Sequence, residues 1–178
     1  MFKKEYFFKG RHAKEVDKLT AVFEKESSAR VFERNIDVYL IAPIVGFLYG
    51  RKAPVDLTKD SDEKQVYQQH IMGDRVIMSG EDLMFNYQLI MLLDRENEPD
   101  EQKRVDKAFR ATSQEDEDLY ESYVRGGVDI LYEKLIDGCE TPESYIQRMI
   151  EFVDEFSTRF NDLIKIDEVR KLIIQSDE

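Results

Sequence analysis

The chain has 178 residues, 36% of them charged and 42% hydrophobic, and a net charge of −12. That length suits one domain with its own core. The acidic balance has the wrong sign for a surface that tracks duplex phosphates or spreads over an anionic membrane. With one cysteine, Cys139, and two histidines, His12 and His70, neither an intramolecular disulfide nor a four-ligand Cys/His zinc site can be assembled from one chain.

Residues 1–10 lack an apolar run of signal-peptide length. The longest apolar stretch, residues 38–49, is shorter than the ~20 residues that a bilayer requires. A cytoplasmic protein without membrane association is therefore expected. Glycine and proline number only 8 and 4, too few for the turns of a β-sandwich or barrel. The expected fold is an all-α, single-domain bundle of six to seven helices over residues 1–178. It carries a basic, aromatic N-terminal arm (residues 1–11) and a long, partly irregular segment near residues 50–80.

In chain order, residues 1–18 hold six basic side chains against three acidic ones, interleaved with Phe2, Tyr6, Phe7 and Phe8. Val16, Leu19, Val22 and Phe23 predict a helix that begins near His12. Ser27 and Ser28 are candidate caps for a helix over residues 29–49. Pro43 should kink or restart that helix, and Gly46 permits close backbone approach. Residues 50–80 carry the weakest periodicity, with a short helix expected over 62–72. An irregular stretch of that length is often functional, so a lid or partner contact is expected there.

Ser79 and Asp82 predict a helix start, followed by the stripe Leu83, Tyr87, Ile90, Met91 and Leu93. A shorter helix over 100–111 presents Val105, Ala108 and Phe109. Ser113, with acidic residues behind it, opens the next helix, and Gly138 closes it. Thr141 and Pro142 begin a long amphipathic helix. A last helix is expected over 167–175.

Four constellations can carry chemistry. Arg125-Gly126-Gly127 puts two glycines inside a well-formed helix, at about 1 kcal/mol each relative to alanine. Either another helix crosses there, with Gly46 as its contact, or the helix breaks and offers its amides, with Arg125, to an anion. Arg51 and Lys52 follow Gly50 as helix-end cations or as the other half of such an anion corner. Glu117, Asp118 and Glu121 on one helix, and Glu151 and Asp154 on the next, pair carboxylates at helical spacing. This pattern loosely resembles the all-α nucleoside-triphosphate pyrophosphatases, with Glu-Asp where that family's motif has Glu-Glu and a longer gap before Glu-x-x-Asp. The resemblance implies Mg²⁺ held by Glu117, Glu121, Glu151 and Asp154. Lys3, Lys4, Lys9 and Arg11, with the aromatics among them, are positioned to contact phosphates and stack bases.

Cys139 reads as a loop cysteine, His12 and His70 as surface residues, and the methionines as core filler. Catalytic and cofactor signatures are missing. The leading expectation is a non-enzymatic interaction or accessory subunit with a protein partner, which includes a second copy of the chain, and no cofactor. Mg²⁺-dependent nucleotide hydrolysis and nucleic-acid contact through the arm are the alternatives.

Overall fold

A computed structural model describes residues 2–59, 65–110 and 112–160. These residues form seven helices and one two-stranded sheet. The all-α expectation holds, with one addition: the N-terminal arm contains a strand. β1 (Tyr6–Lys9) pairs antiparallel with β2 (Gln68–Ile71), Tyr6 opposite Ile71 and Lys9 opposite Gln68. Along β1, Phe8 is buried while its neighbours Phe7 and Lys9 are only partly so, as expected where successive side chains point to opposite faces. β2 stands in the described part of the range expected to be helical, 62–72, and its one apolar residue, Ile71, is buried opposite Tyr6; residues 62–64 lie outside the described residues.

α1 (Gly10–Thr20) starts immediately after β1 and buries His12, Ala13, Val16 and Leu19. Gly10 has φ of +57°, which lets the chain turn from strand into helix. No side chain of α1's own N-cap residue bonds there. Asp56, from a distant loop, accepts from the Arg11 amide at 2.7 Å instead.

α2 (Asn35–Leu48) begins six residues later than the predicted start at residue 29. Neither Ser27 nor Ser28 caps it. Across a short turn the Phe23 amide instead donates to the Ala29 carbonyl and the Ala29 amide to the Glu24 carbonyl. Pro43 lies inside a helix that neither stops nor restarts. α3 (Gly73–Met78) and α4 (Gly80–Leu93) follow, without a side-chain cap from Ser79. α5 (Glu101–Phe109) is capped by the Asp100 carboxylate.

α6 (Gln114–Leu135) opens with a reciprocal capping box, Ser113 with Asp116, in which each residue satisfies an amide of the other. α7 (Pro142–Phe160) buries no residue fully. The helix expected over 167–175 lies outside the described residues.

α6 is the central element. It lies along α2, takes α1 on another side, and buries eleven residues, including Tyr120, Val124, Val128 and Leu131. No helix of the described residues is long and apolar enough to cross a membrane.

Candidate functional site

The glycines of α2 and α6 form a backbone crossing. A Cβ on Gly127 would overlap the Ala42 carbonyl, one on Gly46 the Tyr123 carbonyl, and one on Gly126 the Arg51 carbonyl. α6 runs unbroken through the pair, so the glycines let α2 and the chain leaving it approach α6. The cations beside them have protein partners. Arg51 makes a bidentate pair with Glu133, at 2.6 and 2.7 Å. Lys52 donates to the Asn97 side chain at 2.9 Å and lies over the Tyr123 ring. Arg125 donates from Nε to the Ala53 carbonyl at 2.8 Å, and the Ala53 amide donates to the Ser122 carbonyl. Arg51, Arg125 and the glycine pair do come together, and what they hold is the loop that follows α2.

One turn further along α6, a polar cluster is buried against α1. His12, Glu15 and Asp129 each offer a ligand atom, and these atoms lie within 4.8 Å of one another. His12 is 1% exposed and Asp129 4%, which corrects the expectation of a surface His12. His12 Nε2 is 3.2 Å from Asp129 Oδ1, yet neither atom has a hydrogen-bond partner, nor has Glu15 Oε2. Arg11 reaches the other Asp129 oxygen at 2.9 Å, and Arg51 Nε stands 3.9 Å from it. Burial, then the adjacent Asp129 charge, pushes the Glu15 carboxyl up to about 8, against the pull of Arg11. Burial also works to raise Asp129, but His12, Arg11 and Arg51 together hold it below the usual carboxylate range.

The acidic set from the sequence does not converge on an ion. Glu121 is enclosed by aromatics: the Tyr6 hydroxyl donates to it at 2.6 Å and the Tyr39 hydroxyl at 2.7 Å. Burial raises its pKa, and the two hydroxyls oppose the rise. Glu151 is exposed on α7 and accepts from Gln147, Asp154 is exposed, and Glu117 lies near the start of α6. Among the described residues, His12, Glu15 and Asp129 are the group that gathers three such donors. The four basic residues of the arm are dispersed in role. Lys3 and Lys4 are exposed, Lys9 lines a cavity of about 560 Å³ with His12, Glu121 and Arg125, and Arg11 pairs with Asp129. Phe2 and Tyr6 are occupied with Tyr120 and Tyr39.

A second concavity, about 840 Å³, opens between α2, α4 and α7. Its wall includes Ile41, Ile44, Phe85, Phe152, Val153 and Phe156. Phe85 and Val153 are each 63% exposed.

Sequence reasoning missed the buried cluster and the groove. The signal for the first was faint but present: Asp129 is a lone acid inside the apolar run Val128–Leu131, and His12 and Glu15 are spaced to share a helix face. No family model matches the chain, and it is not significantly similar to any curated protein or solved structure searched.

Proposed function

We propose that this chain is a non-enzymatic accessory protein that docks a basic amphipathic helix of a partner protein in the groove between α2, α4 and α7. The observation that carries this is the groove itself: large apolar side chains, exposed together and concave. Contiguous exposed apolar surface of this kind marks interaction sites, and a groove between helices suits an amphipathic helix with anchors at i, i+3 or i+4, and i+7. Charge selects the partner. Asp82 stands in the groove wall, with Glu81, Glu151 and Asp154 exposed on the helices that frame it, in a chain of net charge −12. A lysine-flanked helix gains from that rim, whereas a second acidic copy of this chain is repelled by it.

The test uses the full chain and a labelled synthetic helix with a leucine stripe and lysine flanks, beside a glutamate-flanked twin. The lysine peptide should bind in fluorescence anisotropy, the twin should not, and Phe85→Asp should weaken binding about tenfold or more. Phe85 is exposed, so this substitution should leave the circular dichroism spectrum intact. Absence of binding, or equal binding by Phe85→Asp, overturns the reading. A light-scattering mass of two chains that reverts to one with Phe85→Asp would assign the groove to a second copy. Lysine-peptide binding that appears only when residues 161–178 are removed would assign it to the chain's own C-terminal residues. Each of these results also overturns the partner reading.

A further inference from the structure

The cluster between α1 and α6 contains buried polar atoms that make no well-formed hydrogen bond, although His12 Nε2 stands 3.2 Å from Asp129 Oδ1 as an ion pair. His12 Nε2, Glu15 Oε2 and Asp129 Oδ1 lack hydrogen-bond partners, in side chains that bring a ligand atom each within 4.8 Å of the others. Buried polar atoms left unbonded are strongly unfavourable, and two carboxylates side by side away from water repel. A cation at their centre removes both penalties. We propose that His12, Glu15 and Asp129 bind one divalent first-row transition-metal ion, of which Zn²⁺ is the representative.

The donor set selects the class of ion. One imidazole nitrogen with two carboxylate oxygens suits Zn²⁺ and its neighbours, whereas Ca²⁺ and Mg²⁺ are held by oxygen. Donors at ~2.0–2.2 Å from a tetrahedral ion stand roughly 3.3–3.6 Å apart, so side-chain rotations that draw the three ligand atoms together complete the site. Three protein ligands leave a coordination position for water.

The surroundings orient the ligands. Arg11 holds Asp129 Oδ2 at 2.9 Å, which leaves Oδ1 beside His12. Arg51, near Asp129, is itself fixed by Glu133. Outer partners of this kind set ligand geometry in metal sites. With Glu15 ionised as a ligand, Glu15, Asp129 and Glu133 set three carboxylates against the two guanidiniums, so the pocket is not already neutralised toward a cation. Glu15 is only partly buried, which gives an ion access from the α1 side.

The experiment is calorimetric titration of the chelator-stripped full chain with Zn²⁺, with Co²⁺ as an optical probe of the ligand field. One ion per chain should bind, with a rise in Tm and visible Co²⁺ absorption. Glu15→Gln and His12→Gln should each weaken binding about tenfold or more, and Glu15→Gln, isosteric and at a partly buried position, should retain the helical spectrum. Absence of Zn²⁺ binding by the folded chain overturns the proposal and leaves a shared proton as the occupant. So does binding that Glu15→Gln leaves unchanged, as exposed carboxylates would give. Phe85→Asp should bind the ion as the unsubstituted chain does, so this proposal and the groove stand or fall separately.

Discussion

Gly127 of α6 lies so close to the carbonyl of Ala42 in α2 that no side-chain carbon fits between them. Both partners are backbone, so rotamer changes cannot relieve an added methyl.

Gly127→Ala should therefore destabilise the protein, although alanine is the better helix former by about 1 kcal/mol. Overpacking against rigid backbone places the loss at the upper end of ~1–3 kcal/mol. Gly80→Ala is the control: nothing lies within 4 Å of its Cβ position, and it should be neutral or stabilising by up to about 1 kcal/mol. Urea denaturation of the two variants reads the difference. Equal stabilities would mean that α2 slides to accept the methyl.

Asp56 gives a prediction with a pH sign. Bonds from Thr58 and from the Arg11 amide hold its carboxyl down at about 2, below the ordinary 3.8. A depressed folded pKa supplies stability above the ordinary value, lost as pH falls through the folded one. Asp56→Asn should be about 1 kcal/mol less stable near neutrality, the usual range for a lost N-terminal cap. The gap should close between about pH 4 and pH 2. Stability curves at several pH values check it, and a gap that persists at the acid end refutes the capping role.

Glu121 has the opposite sign. Burial raises its folded pKa despite the Tyr6 and Tyr39 hydroxyls, so the protonated form is favoured in the fold. Its contribution is greatest below the ordinary glutamate value and diminishes as pH rises through and beyond it. The stability of the protein relative to Glu121→Gln should decline from about pH 4 to pH 7. A flat or rising difference would show that the two hydroxyls outweigh burial.

Local signals proved legible where the chain supplies its own partner. Ser113 and Asp116 are three residues apart and cap each other, and Pro142 begins its helix. They failed where the partner is remote. The serines at 27 and 28 carry good capping chemistry, yet the helix begins at Asn35. Asp56 caps a helix 45 residues earlier in the chain, a relationship that no window along the sequence contains. β2 exists because β1 needs a ladder partner, not because residues 68–71 alternate in polarity. The crossing at Gly46 could be anticipated from the glycine pair and the proline helix together. The enclosure of His12 could not, because it depends on which face α6 turns toward α1.

The pairing of early with late segments also dictates an order of assembly. The Tyr6 hydroxyl bonds Glu121, 115 residues downstream, and Arg11 meets Asp129 at a separation of 118. During synthesis, β1 and α1 leave the ribosome well before the helix that covers them. Closing loops of that length slows folding and leaves apolar surface open in the interval. Phe8, Val16 and Leu19 are thus the side chains most in need of chaperone protection, although they end among the best buried in the molecule.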